Sequence, residues 1–394
     1  MANARYSLSF TFEGCCFVII AGFILAGAMT RQINLLMILF GLLAGTFFVH
    51  WIVVRTMLRK IEVERRVPKS IFAGELIVVE LLGKNQRRRL AAWALVVTDI
   101  LRREGASKGS RVIRARTMFS HIPAGGTSVT TYRGRLMERG CYRFEPLQIS
   151  SRFPFGFLRY RAVFDVGDTL LVHPRLGKLT PVWRRWQEGL ETGAGRTSPR
   201  QGLLEGDFYG LRDWRSGDSR RWLHWRTSAR RQSPVVRQFE RQRDRGLAVL
   251  VDLWQPAEVG PNELDAVEIA VSLAATIATD LCRAGGRRLS VATTGERPWS
   301  IEGPASTALL EEVMNRLATS QAAAEEQLPQ TLWELLDQIR RSTLVILVSS
   351  RPIDLAGDPR FDLIRNDSRH KRWLSRLKTV DTSSNSFSEL FQVS

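Results

Sequence analysis

Cysteine and histidine are scarce: the 394-residue chain has four of one and five of the other. Cys15, Cys16, Cys141 and Cys282 show neither metal-ligand spacing nor an even framework within one domain, which reads as free thiols in a reducing compartment. Acidic residues are also short, 39 against 57 lysines and arginines, leaving a net charge of +18 and a pI near 10.8. Such an excess calls for an anionic neighbour, either nucleic acid or acidic lipid headgroups at a membrane surface. It is mostly arginine, spread from Arg87 through Arg376, so a plain solvated basic face explains it equally well. Asp99, His121 and His173 are scattered, so the β-rich segment shows no catalytic spacing. With 44% hydrophobic residues the chain can fill the cores of two or three domains, which excludes global disorder.

Two long apolar runs come first. "GCCFVIIAGFILAGAMT" lies between Glu13 and Arg31, and "QINLLMILFGLLAGTFFVHWIVV" lies between Arg31 and Arg55. A crossing helix needs roughly 17–25 apolar residues, so residues 14–54 are expected to meet membrane lipids as a two-pass helical hairpin. Arg55, Arg59, Lys60, Arg65 and Arg66 follow the second run, and the positive-inside rule puts them, and the body after them, in the cytoplasm. The expected location is the cell inner membrane. "AGA" at 26–28 imitates a signal-peptidase site, but cleavage there would leave the second helix and the same orientation. Cys15 and Cys16 follow no apolar stretch, so they are not lipoprotein cysteines.

The body reads as β followed by α/β. Segments 74–85, 90–100, 128–150 and 169–174 are short Val- and Leu-rich runs broken by turn formers, which suggests a β-sandwich-like module over 61–178. "RGLAVLVDLW" (245–254) and "STLVILVSS" (342–350) are continuous apolar runs of the kind found in buried parallel strands. Between them come a helix over 262–286 with Asn262 as its N-cap, a strand over 287–294, and helices over 308–319 and 331–341. Strands alternating with helices mean a doubly wound, mostly parallel sheet over 246–380, with 381–394 as a polar tail.

A strand ending in Asp252 before such a helix resembles a von Willebrand factor A-type domain, whose metal motif begins Asp-x-Ser-x-Ser. Here Trp254 and Pro256 replace both hydroxyls, so the resemblance implies a degenerate metal site and no bound metal.

"GLRDWRSGDSRRWLHWRTSARR" (210–231) packs three tryptophans, a histidine and seven arginines together. With its flanks it closely resembles the signature of the bacterial domain-of-unknown-function family fifty-eight. The resemblance rests on Gly206, Asp207, Gly210, Leu211, Arg212, Gly217, Asp218, Arg221, His224, Trp225, Ser228, Ala229, Arg230, Val236, Arg237 and Glu240. "RGCYRFEPLQISSRFPFGFLR" (139–159) is similar to the family's preceding segment, with its Pro-Phe-Gly at 154–156. The resemblance implies a membrane hairpin, a β-rich module and a von Willebrand factor A-like domain without a complete metal site. It also implies a MoxR-type AAA+ ATPase as partner, and no established activity.

Physically, Asp207, Asp213 and Asp218 alternate with Arg212, Arg215, Arg220 and Arg221, which suits a self-paired loop over the linker 179–245. Trp214, Trp222 and Trp225 are expected to be buried, making the segment an inter-domain clasp. A His224–Asp218–Ser228 hydrolytic set and a nucleic-acid grip are the competing readings. The acids interleaved with the arginines speak against the grip. The expectation is a non-enzymatic, membrane-anchored interaction or scaffold protein without cofactor. The alternative is a membrane-tethered nucleic-acid binder using its Arg/Trp-rich surface.

Overall fold

The computed structural model describes residues 5–105, 112–183, 185, 208–216, 218, 220–239, 246–256, 261–340, 343–374, 377–384 and 387–393. The chain forms two units, Met1–Arg175 and Leu176–Ser394.

In the first unit β1 (Arg5–Phe10) leads into α1 (Phe12–Arg31) and α2 (Asn34–Met57). The two helices follow the two apolar runs to within three residues at each end. Their mean hydropathy is 2.1 and 2.2, and each is long and apolar enough to cross a bilayer. Gln32, in the left-handed region (φ 50°), ends α1. The strands that follow are β2 (Ile61–Arg66), β3 (Ser70–Phe72), β4 (Leu76–Asn85), β5 (Ala92–Arg103), β6 (Ile113–Ile122) and β7 (Thr127–Arg135). β8 (Gly140–Phe144), β9 (Leu147–Ser151), β10 (Leu158–Phe164) and β11 (Thr169–His173) complete the unit. One sheet has the order β1-β10-β9-β5-β8-β11-β3 with β6 beside β5, and a second has the order β2-β4-β7. Alternating inward residues of both sheets, among them Val79, Leu81, Val97, Phe119 and Ile149, meet in one core.

β1 has no counterpart in the sequence reading. It pairs antiparallel with β10, from Arg5↔Val163 to Phe10↔Leu158, so the chain enters the sheet before it enters α1. The junction is tight. The Thr11 hydroxyl caps α1 by accepting from the Gly14 amide (3.0 Å) and donates to the Gly156 carbonyl (2.6 Å). A Cβ on Gly14 would lie 1.9 Å from the Phe157 carbonyl oxygen, so this approach requires glycine. On α2, buried His50 accepts the Leu158 amide at Nε2 (3.0 Å).

Arg65 corrects the basic cluster expected after α2. β2 alternates Ile61, Val63 and Arg65 inward, and the Arg65 guanidinium is fully enclosed. It forks onto Asp99 at 3.0 and 2.7 Å, reaches Asp168 (2.9 Å) and stacks over Phe144. Asp99, scattered by sequence, is therefore the counter-charge of a core arginine.

The second unit holds β12 (Gly177–Leu179), β13 (Phe208–Asp213), α3 (Trp225–Arg231), β14 (Val235–Phe239), β15 (Leu247–Asp252) and α4 (Pro261–Ala284). Next come β16 (Arg288–Thr293), β17 (Trp299–Pro304), α5 (Thr307–Thr319), α6 (Leu328–Gln338) and β18 (Leu344–Ser349). The last elements are α7 (Asp362–Asn366), α8 (Lys371–Leu374), β19 (Leu377–Asp381), α9 (Phe387–Leu390) and β20 (Phe391–Val393). A five-stranded sheet runs β17-β16-β15-β18-β19, parallel except for β17. Every residue of β15 is buried. α4 starts at Pro261, ahead of Asn262, so Asn262 lies inside the first turn and is not the cap. The expected polar tail is also corrected. Phe387 and Phe391 are buried, and β20 pairs with β12, because two aromatics in the last eight residues supply an apolar face.

Candidate functional site

The signature folds as a hairpin with an insert. β13 pairs antiparallel with β14, and α3 lies between them in sequence. The Arg212 fork grips Asp218, Nη1 to Oδ2 and Nη2 to Oδ1, both at 2.7 Å. The Arg215 amide also donates to Asp218 (2.8 Å). These bonds, Arg212's first, hold the Asp218 carboxyl below the usual carboxylate range. His224 caps α3, its Nδ1 lying 2.8 Å from the Thr227 hydroxyl, and its own amide donates to the Val235 carbonyl. Ser228 closes the turn, accepting the Val235 amide (2.8 Å).

The Arg212–Asp218 pair is partly exposed, so Arg212→Ala is expected to cost about 1–2 kcal/mol. Because Asp218's pKa is depressed, its contribution exists above the unfolded carboxylate pKa and is lost as pH falls through the folded value. Thermal unfolding in neutral and acid buffer should show the difference between wild type and Arg212→Ala shrinking in acid.

The hydrolytic set does not assemble. Asp218 is committed to Arg212, His224 to Thr227, and Ser228 to the backbone of Val235. Asp213, Arg221, Arg230 and Arg237 are exposed, while Gly206, Asp207, Gly217 and Glu240 lie outside the described residues. Trp214, at 38% exposed, and Trp225 both overturn the burial expected of them. Trp225 is 72% exposed, at the start of α3 beside exposed Arg226. A two-stranded hairpin has little apolar surface to offer, and Val235 and Val236 take its buried positions.

Asp252 ends β15 at the carboxyl edge of the parallel sheet, where ligands of such sheets bind. It is buried, and its oxygens are taken. Thr294 donates to Oδ1 (3.0 Å), Ser349 to Oδ2 (3.1 Å), and the Arg351 Nε lies 3.3 Å from Oδ2. Arg351 also pairs with Glu326 and sits over the Trp254 ring, 4.4 Å from its centroid. Burial pushes the Asp252 carboxyl up, against the pull of Arg351 and the two hydroxyls. The Oδ2–Arg351 distance alone would suggest a comfortable carboxylate, but a near-total loss of water outweighs one long contact. Trp254, expected to spoil a metal site, instead carries the arginine that fills it. Among the described residues no three His, Cys, Asp or Glu side chains gather to hold a metal. Sequence reasoning missed Arg351 and Glu326, which stand far from Asp252 along the chain.

Residues 210–370 match the family described as "Protein of unknown function DUF58". Residues 210–370 are thus similar to that family. It is also 28% identical, over 234 residues, to the uncharacterized protein YeaD of Bacillus subtilis, covering 58% of this chain and 54% of that one. The chain thus spans about half the length of the curated relative it matches. Among solved structures, a β-glucosidase from Listeria innocua is 18% identical over 28% of this chain and 16% of its own, with a TM-score of 0.20. A CARDB domain from Pyrococcus furiosus is 15% identical over 29% of this chain and 95% of its own, with a TM-score of 0.19. Scores this low carry no argument about fold.

The matched segment begins inside β13 and ends at His370, so it contains both the Arg212–Asp218 hook and the Asp252–Arg351 plug. The Pro-Phe-Gly at 154–156 lies outside it, in the first unit. There the loop receives the feet of both helices through Thr11 and His50, and Phe157 stacks on Phe17 at 4.1 Å.

Proposed function

We propose that this protein is a non-enzymatic scaffold, anchored in the inner membrane by α1 and α2, that presents its body to a protein partner in the cytoplasm. One observation carries the interaction reading. Trp225 stands 72% exposed on α3, a helix that also carries Arg226, Arg230 and Arg231, and tryptophan and arginine are the residues that dominate binding hot spots. The plugged sheet edge supports the same reading, because the Arg351 guanidinium covers the carboxylate at which a ligand of such a sheet would be held. The partner class that the signature's resemblance implies is a MoxR-type AAA+ ATPase, and the parallel sheet is in keeping with a von Willebrand factor A-like interaction domain.

The anchor reading draws on the path of the chain. β1 and β10 share one sheet, β2 follows α2 into the same core, and a chain that leaves and re-enters one module crosses the bilayer an even number of times. The two helices then form a hairpin with both flanks on one side. Arg55, Arg59, Lys60 and Arg66 remain after α2 as the positive-inside signal once Arg65 is withdrawn.

The same exposed Trp225 among arginines also suits a stacked base, which keeps the nucleic-acid reading as the second one. A photo-crosslinker placed at position 225 of the full-length chain in cells separates them. The scaffold reading expects a discrete protein adduct that contains an AAA+ ATPase. Adducts that nuclease removes would replace it with the second reading.

A further inference from the structure

The outer face of the eight-stranded sheet in the first unit carries a trough that neither the matched segment nor the anchor accounts for. It has a volume of about 830 Å³. Its composition follows from strand register, because residues paired across antiparallel strands share a face. Arg161 pairs with Ser150, Ser150 with Val96, and Val96 with Met118. One step along, Gln148 pairs with Thr98, Thr98 with Arg116, and then Ile100 with Arg114. The floor is therefore neutral, made by β9 and β5. One bank is Arg159 and Arg161 on β10, and the other is Arg114 and Arg116 on β6. Three strand spacings separate the banks at the backbone, about 14 Å.

Among the described residues no acid lines the trough, and these four arginines form no ion pair. Four like charges held on one face repel each other unless an anion sits among them. The trough is also amphipathic. Met118 is exposed on the β6 bank, and Phe153 and Phe155 stand exposed on the loop that closes one end. That loop is the one that holds the feet of α1 and α2, through Thr11 and His50. A cationic trough with apolar side chains at its membrane end meets both halves of a phospholipid headgroup region.

We infer that this arginine-banked trough binds the headgroup phosphates of anionic phospholipids in the leaflet that α1 and α2 enter. The inference rests on the proposed anchor. A free phosphate would meet the same arginines but would have no use for Phe153, Phe155 and Met118. Nucleic acid would have no reason to lie at the feet of two apolar helices. Each bank contacts one or more phosphates, and the spacing between banks favours several headgroups over one clamped ion.

The test uses the full-length chain in a non-ionic detergent, with native mass spectrometry counting bound phosphatidylglycerol against phosphatidylcholine. Phosphatidylglycerol adducts are expected in clear excess. Arg114→Gln/Arg116→Gln and Arg159→Gln/Arg161→Gln are expected to weaken them about tenfold each. Arg133→Gln/Arg135→Gln, on exposed positions of β7 outside the trough, is expected to change nothing. All the replaced side chains are at least partly exposed, and matching melting temperatures check that the variants fold. Equal binding of the two lipids, or adducts indifferent to both pairs, would overturn the inference. So would full displacement by inorganic phosphate, or by a short oligonucleotide at lower concentration. Alkaline carbonate extraction of cell membranes reads the anchor separately. A chain released by carbonate refutes the anchor, whereas a retained chain without lipid preference refutes the trough alone.

Discussion

Arg65→Met is expected to destabilise the first unit by about 3–5 kcal/mol, the largest effect of any single change outside the helices. The arginine side chain has no exposure, and Asp99, its bidentate partner, has almost none. Removing the guanidinium leaves a buried carboxylate with the Tyr132 hydroxyl (2.6 Å) and its own neighbouring amide as donors. The Glu145 and Val166 carbonyls lose their donor at the same time. Tyr132 stays a neutral donor, since burial first and Asp99 second push its phenol well above the usual range. Arg65→Met/Asp99→Leu should recover much of the loss, because it removes the stranded charge along with its partner. Denaturant unfolding of the full chain in detergent reads both variants. A loss under about 1 kcal/mol for Arg65→Met would show that water reaches Asp99.

Arg351→Met is the second large effect, about 3 kcal/mol near neutral pH. Asp252 would keep two hydroxyl donors and lose the one cation that offsets its burial. Its folded pKa is already raised above the unfolded value, so the native state binds the extra proton and stability falls as pH rises between the two. Without Arg351 the folded value climbs further and the falling window widens. The variant should therefore regain stability relative to wild type as pH drops from neutral toward the ordinary carboxylate range. Asp252→Asn/Arg351→Met should lose that pH dependence. A flat difference between wild type and Arg351→Met across this range would mean that Asp252 is hydrated.

How much of this could be read from sequence depended on whether the signal was local. β15 and β18 announced themselves, because a strand buried on both faces is an unbroken apolar run, and α1 and α2 did so by length. α5 and α6 followed from helical periodicity within a turn of their ends. What stayed hidden was pairing at long range. Nothing in "IEVERR" says that its fifth residue points inward to meet Asp99, since an arginine after a membrane helix has a ready explanation outside the core. Nothing near Asp252 names Arg351. β1 was masked by the apolar run after it, and its exposed alternating residues gave no core-facing pattern. At the signature, sequence gave the Arg–Asp pairing in kind and missed which acid is used. It placed Trp225 inside because tryptophan is usually buried, a habit that fails on a hairpin this small.

Which side of the membrane holds the body is the most direct test of the account as a whole, because a cytoplasmic ATPase can reach it on one side only. A reporter that is active only outside the cytoplasm, fused after Arg66 or at Ser394 of the chain, should be inactive at both positions, and a cytoplasm-active reporter should work at both. The cations that follow α2 and the return of the chain to the β1 sheet both favour that result. Activity of the external reporter at either position would contradict it, and would remove the ATPase partner and the leaflet assigned to the arginine trough together.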